Sequence, residues 1–283
     1  MLFVNIIKLN RRYFNHKQLT DMATTPLLRA GEDYKKIFDG KVYADTLFNQ
    51  IEVEGFTFTE FRLKTLHNIF SKGTIKGKCL LEIGSGPCIH TVIPAAKWFD
   101  EIIMTDYSPS NRDMQEKWLK KDSGAHNWDI YFKYYSKLDG NEDNWQQLEA
   151  ALRPKIKRVL SCDVHLPNPL DPIKLEPVDV ICTSACLESA CPDKDSYHIA
   201  TKNVVSLLKP GGKLILIGIL NCTHYTVGSE RFQCVSLTKD DVVNTVKTND
   251  LKIIEIFDDD SSLDMDAAPF NGSVIILAEK KST

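Results

Sequence analysis

Three acidic residues close three apolar runs, and their types and spacing suit the binding of a nucleoside. Cys79-Leu80-Leu81-Glu82-Ile83 runs into Gly84-Ser85-Gly86-Pro87, Glu101-Ile102-Ile103-Met104-Thr105 ends on Asp106, and Arg158-Val159-Leu160-Ser161-Cys162 ends on Asp163. Glycine lets the backbone approach a ligand closely, and a carboxylate after the second run can accept from two ribose hydroxyls. Asp106 follows Gly86 by 20 residues, the spacing of a nucleoside-binding strand–helix–strand unit. Gly-x-Gly alone is weak evidence, and any one of the acids has an alternative use as a helix cap or a solvated loop residue. Their succession at three consecutive strand ends carries the weight. A dinucleotide site wants a third glycine at the sixth position of the fingerprint, here Ile89, and Pro87 stiffens the turn.

The elements that must position these residues are legible in the apolar pattern. Val178–Thr183 and Lys213–Ile217 read as further buried strands. Met114–Lys121 and Tyr197–Leu208 read as helices, the second stopped by Lys209-Pro210-Gly211-Gly212. Alternation of buried strands and helices predicts an α/β fold with a parallel sheet covered on both faces. Lys252–Phe257 and Ser273–Glu279 predict an antiparallel pair at the end, and Asp258-Asp259-Asp260-Ser261-Ser262 a solvated loop. Before the first strand, Tyr34, Phe38, Tyr43 and Phe48 follow one another at intervals of four, five and five. That segment is too small to be a domain and is expected to lie as a lid over the carboxyl edge of the sheet. The expected division is 1–23 as an N-terminal extension and 24–283 as one domain, with 24–75 the lid and leading helices and 76–283 the cofactor-binding core.

Composition sets the outer limits. The chain has 283 residues, 43% of them hydrophobic and 26% charged, an ordinary globular balance that needs no staples. A net charge of -3 argues against a general electrostatic grip on nucleic acid, and no run of 18 apolar residues offers a membrane span. The partner expected is a small molecule, and the chain is expected to be a monomer. Lys8, Arg11, Arg12 and Lys17 stand in an acid-free first twenty residues. That stretch faintly resembles an organelle presequence, and equally a frayed extension with Met22 as an alternative start. None of the eight cysteines forms a Cys-x-x-Cys pair, so zinc and thioredoxin-like readings lack their spacing. A reducing, cytoplasmic setting fits best, organelle targeting being the alternative.

With the dinucleotide reading disfavoured, S-adenosylmethionine is the nucleoside that fits, since it has no phosphate and needs no anion cradle. Asp163 is placed to accept from its adenine amino group. Glu82-Ile83-Gly84-Ser85-Gly86-Pro87, Thr105-Asp106-Tyr107-Ser108, Cys162-Asp163-Val164, Cys186-Leu187-Glu188-Ser189-Ala190-Cys191-Pro192-Asp193 and Leu207-Leu208-Lys209-Pro210-Gly211-Gly212 resemble the small-molecule N-methyltransferase family. That family includes nicotinamide, phenylethanolamine and indolethylamine N-methyltransferases, and the similarity runs from about Tyr34 to the C-terminus. The resemblance implies a Rossmann-like, seven-stranded class I methyltransferase fold with an aromatic lid and S-adenosylmethionine as methyl donor. Carried over, Gly84, Ser85 and Gly86 line the methionine part and Asp106 takes the ribose hydroxyls. Tyr107 and Ser108 lie near the adenine, Asn111 near the ribose, Asp163 and Val164 at the adenine edge, and Ser184 at the methionine end. Tyr43 matches the first lid tyrosine. Phe48 replaces a second one, and His90 stands where the family has tyrosine.

The resemblance also orders the substrate classes. Nicotinamide enzymes carry an aspartate at the end of strand five, where this chain has Gly218. Glu188 matches a glutamate that faces the amine in the phenylethanolamine enzyme. An alkylamine is mostly protonated at neutral pH, and only its neutral form attacks a methyl group, so a nearby carboxylate has a use. The expectation is therefore N-methylation of a small aromatic or heteroaromatic amine, with Glu188 catalytic and Tyr34, Phe38, Glu188, Tyr225 and Asp266 at the substrate. Asp264 has the same loose claim as Asp266, a solvated loop being the competing reading for both, and Glu230 is one residue off an acidic position of the family. The alternatives are nicotinamide or pyridine N-methylation, a protein that binds the cofactor without turnover, and a nicotinamide-dependent oxidoreductase, the last disfavoured by Ile89. No metal is expected.

Overall fold

A computed structural model describes residues 27–51, 57–263 and 269–282. The expectations for Met22, for the N-terminal extension and for Asp264 and Asp266 lie outside the described residues. In chain order the elements are β1 (Leu28–Arg29), α1 (Asp33–Lys36), α2 (Gly40–Leu47), α3 (Phe58–Ser71), β2 (Gly77–Ile83), β3 (Phe99–Asp106), α4 (Pro109–Leu119), α5 (Asp129–Leu138), α6 (Trp145–Leu152) and β4 (Ile156–Ser161). There follow β5 (Val178–Ser184), α7 (Leu187–Ala190), α8 (Lys194–Ser206), β6 (Leu208–Ile219), β7 (His224–Val227), β8 (Glu230–Gln233), α9 (Lys239–Thr248), β9 (Leu251–Leu263) and β10 (Phe270–Lys280).

Seven strands form one sheet in the order β4-β3-β2-β5-β6-β10-β9. The first five run parallel, and β10 pairs antiparallel with both β6 and β9. The order reverses between β2 and β5, and in open α/β sheets the crevice at such a switch holds the ligand. Alternation along the strands divides the core into two layers. Leu80, Ile102, Met104, Val180, Cys182, Ile215 and Ile217 pack on one face with Leu66, Ile69 and Phe70 of α3. Leu81, Ile83, Ile103, Ile181, Leu214 and Leu216 pack on the other with Ala200 and Val204 of α8 and Val242 and Val246 of α9. Local signals fix the element ends. Asp179 accepts from the Lys78 and Cys79 amides at 2.9 Å each where β2 starts. Capping boxes at Asp193 and Thr238 begin α8 and α9.

Two features depart from the expectation. The tract Asp258–Ser262, read as a loop, lies inside β9, because Asp258 and Asp259 pair in register with Val274 and Ser273 of β10. A second sheet, β1-β8-β7, was not foreseen. In it the β7–β8 hairpin receives β1 in parallel, Leu28 opposite Arg231 and Arg29 opposite Phe232. The leading segment is thus fastened over the carboxyl ends by a strand as well as by helices.

Candidate active site

A cavity of roughly 1010 Å³, counting its open mouth, lies against the carboxyl ends of β2, β3 and β5 at the switch point. Its walls include Tyr34, Phe38, Tyr43 and Phe48 from the leading segment, Gly84, Ser85, Gly86 and His90 after β2, and Asp106, Tyr107 and Asn111 after β3. Asp163 and Val164 after β4, Ser184 at the end of β5 and Tyr225 of β7 also line it, whereas Ser108 and Glu188 do not.

The turn after β2 requires its glycines. Gly84 and Gly86 have φ of +66° and +63°, a region that disfavours side chains. A Cβ at Gly84 would stand 2.0 Å from the Cys186 sulfur. Ser85 spends its hydroxyl on β3, donating to the Thr105 carbonyl at 3.1 Å and accepting from the Thr105 amide at 3.2 Å. The turn is thereby stitched to the strand that delivers Asp106.

Asp106 is buried, yet its carboxylate is well solvated by the protein. One oxygen accepts from the Gly86 amide at 2.7 Å, and the other from the Ser108 amide at 2.8 Å and the Asn111 side-chain amide at 3.0 Å. Burial raises its pKa, and these donors pull it back. The Asn111 Oδ1 beside it is buried without a partner, so two acceptors stand together where a vicinal diol would donate. Ser108 is fully buried and does not line the cavity; its contribution is the backbone N–H to Asp106. Tyr107 is held from the lid side, donating to Glu32 at 2.7 Å, with Lys35 4.4 Å from its ring centroid. Asp163 accepts from the His165 amide and contacts its Nδ1, both at 3.0 Å.

The other branch is aromatic. Tyr34 and Phe232 lie 4.7 Å apart between ring centroids, Phe38 and Phe232 5.0 Å, and Tyr225 and Phe232 5.7 Å. The Tyr34 and Tyr225 hydroxyls are 2.9 Å apart, and Tyr34 donates to the Ser189 carbonyl at 3.3 Å. Burial raises the pKa of both phenols, so they act as neutral hydrogen-bonding groups.

Glu188, expected at the substrate, points elsewhere in this structure. It is 3% exposed and absent from the cavity wall, although Cys186, Ser189 and Ala190 around it line that wall. In the short α7, Glu188 turns inward and accepts from the Ile219 amide at 2.8 Å. Burial raises its pKa to about 7. Glu230, already discounted, forms an ion pair with Arg29 at 2.7 Å. Gly218 is sheet-bound opposite Val274 and also off the wall.

Arg62 and Glu82 also line the cavity; Arg62 was not singled out, and Glu82 was noted among the strand-end acids but given no role. Both gave signals. Arg62 stands four residues after Phe58 and four before Leu66 on the apolar stripe of α3, and Glu82 sits in an apolar run. Neither the eight cysteines nor the acids gather into a metal site among the described residues, and all eight cysteines are free.

Residues 26–281 match the NNMT/PNMT/TEMT family. Indolethylamine N-methyltransferase of Oryctolagus cuniculus is 37% identical over 256 residues, 89% of this chain and 96% of that protein. Nicotinamide N-methyltransferase of Sus scrofa is 42% identical over 185 residues, 65% of this chain and 70% of that one. Among solved structures, an S-adenosylmethionine-dependent methyltransferase from Methanosarcina mazei superposes with a TM-score of 0.53 at 14% identity, over 76% of this chain and 98% of that one. That likeness speaks for the fold alone.

Proposed function

The chain belongs to the NNMT/PNMT/TEMT family, and we propose that this S-adenosylmethionine-dependent N-methyltransferase acts on the nitrogen of a small aromatic or heteroaromatic amine. The observation that carries the choice is the part of the wall formed by Tyr34, Phe38 and Tyr225 with Ala185, Cys186 and Ser189. Its rings offer flat apolar surface, and its few polar atoms fix orientation, as small-molecule sites do.

The residues present fit the cofactor. Asp106 and Asn111 together accept from a vicinal diol, Asp163 and Val164 border the adenine side, and the Gly84 turn leaves room that a side chain would fill. When bound, the cofactor supplies an activated methyl group on a sulfonium. The protein's part is alignment and exclusion of water. Tyr43 and Phe48 close one side of the cavity, and the Tyr34–Tyr225 hydroxyl pair marks the acceptor branch.

Among the described residues, the wall beside Tyr34, Phe38 and Tyr225 is formed by neutral side chains, which suits an acceptor nitrogen that presents a free lone pair. Aryl and heteroaryl nitrogens meet that condition directly, and an alkylamine meets it by losing its proton to water before the lid closes. Glu188 then acts as a positioning residue that holds the Ile219 amide and the turn forming the wall. A pyridine nitrogen, nicotinamide included, is the second reading, since it needs no base.

Labelled-methyl transfer to phenylethylamines, tryptamines, imidazole amines and nicotinamide is the test. Turnover on amines and not on nicotinamide is the expected result. Turnover on nicotinamide alone moves the assignment to the second reading, and silence across the panel with cofactor bound overturns both.

A further inference from the structure

On the cavity wall, three buried side chains carry polar atoms that lack partners. Arg62 is 5% exposed, drawn inward by its place on the apolar face of α3. Its guanidinium lies 4.8 Å from the Phe58 ring centroid and 6.0 Å from that of Phe48. Its Nη1 donates to the Ser184 hydroxyl at a long 3.4 Å, and its Nε is buried with no partner. Glu82, 1% exposed, accepts from Thr91 through one oxygen and leaves the other without a partner. His90, 1% exposed, has neither ring nitrogen bonded. All three line the cavity.

A buried charge is stable in a protein when it is paired or richly hydrogen-bonded. Arg62 makes no ion pair with a described carboxylate, and an arginine guanidinium keeps its charge. Here the cation and the acid, Arg62 and Glu82, line the same cavity without forming an ion pair, an arrangement complementary to a ligand group that carries both charges. An α-amino acid is such a group: its carboxylate suits the guanidinium fork and its ammonium suits Glu82. The wall also carries the carboxylates of Asp106 and Asp163, and Arg62 is its one lysine or arginine among the described residues.

We propose that Arg62 is the counter-ion for the carboxylate at the methionine end of S-adenosylmethionine, with Glu82 facing the ammonium. This rests on the reading of the cavity as the cofactor site. Ser184, at the end of β5, props the guanidinium by its hydroxyl, so one strand end serves the acid-recognising residue while the next turn forms the substrate wall. Phe48 and His90, the two positions where the chain departs from its family's tyrosines, lie against this group and bring no hydroxyl of their own.

The test is calorimetric titration with S-adenosylhomocysteine, its decarboxylated analogue and 5′-methylthioadenosine, against the unaltered protein, Arg62→Lys and Arg62→Met. The unaltered protein should prefer S-adenosylhomocysteine to the decarboxylated analogue by about ten- to a hundredfold, the range of a charged hydrogen bond. Arg62→Met should abolish that preference and leave 5′-methylthioadenosine binding intact, and Arg62→Lys should keep part of it. A preference that survives Arg62→Met overturns the proposal, as does equal loss of all three ligands. Absence of any preference in the unaltered protein overturns it without recourse to a variant. Failure of the unaltered protein to bind S-adenosylhomocysteine at all instead removes the cofactor reading beneath it.

Discussion

The two ends of the cavity handle buried charge in opposite ways. At the nucleoside end, Asp106 is met by the Gly86 and Ser108 amides and the Asn111 side chain. That charge is part of the scaffold, because it ties the turn after β2 to the start of α4. At the methionine end, Arg62 and Glu82 are as deeply buried, yet an Nε and a carboxylate oxygen have no partner. Preorganised donors cost nothing further when a ligand arrives. Unpartnered groups cost stability until one does. The comparison therefore separates a charge that supports the fold from charges that await a ligand.

The largest expected effect comes from removing the first kind. Asp106→Ala strands three donors as well as losing the diol acceptor, so S-adenosylhomocysteine affinity should fall by roughly a hundredfold or more. The melting temperature of the ligand-free protein should fall with it, by about 4 °C or more. Affinity loss without destabilisation would place Asp106 with the second kind. Glu82→Gln is the converse case. Burial raises the pKa of Glu82 to about 7, so the folded state binds its proton more tightly than the unfolded chain does. That acid's contribution to stability is full below the unfolded value near 4.5 and is lost as pH rises through about 7, by up to about 3 kcal/mol. Glu82→Gln should therefore raise the ligand-free melting temperature at pH 8 while weakening S-adenosylhomocysteine by about tenfold. A variant less stable than the parent at pH 8 would break the comparison.

Glu188 gives the smallest and sharpest distinction. Its pKa is also raised by burial to about 7, but its carboxylate holds a backbone amide and is off the wall. Glu188→Gln should flatten the fall in denaturant stability between pH 5 and 8 and leave the affinity for S-adenosylhomocysteine unmoved. A loss of turnover on amines larger than on nicotinamide would return this acid to proton transfer and refute the positioning role.

The pattern of legibility follows the same division. Asp106 and Gly84–Gly86 were readable because one short unit carries both ends of their interaction, 20 residues apart. The inner parallel strands were readable because burial on both faces leaves apolar runs, whereas the edge strand β4 is only partly buried. The direction of Glu188 was not legible, because its neighbours line the wall while the one-turn helix α7 turns its side chain inward toward Ile219. Arg62 escaped notice as a site residue because its meaning depends on Ser184, 122 residues away. The β1-β8-β7 sheet was missed because a two-residue strand has no periodicity to detect.

That short strand also bears on kinetics. Gly31, Tyr34 and Phe38, which follow β1 directly, wall the cavity, and β1 is held by two residue pairs and the half-exposed Arg29–Glu230 bridge. Releasing β1 breaks only these contacts, so a local opening here is expected to cost less than global unfolding. Salt screens the bridge, so product departure should quicken with ionic strength while the seven-stranded sheet remains intact.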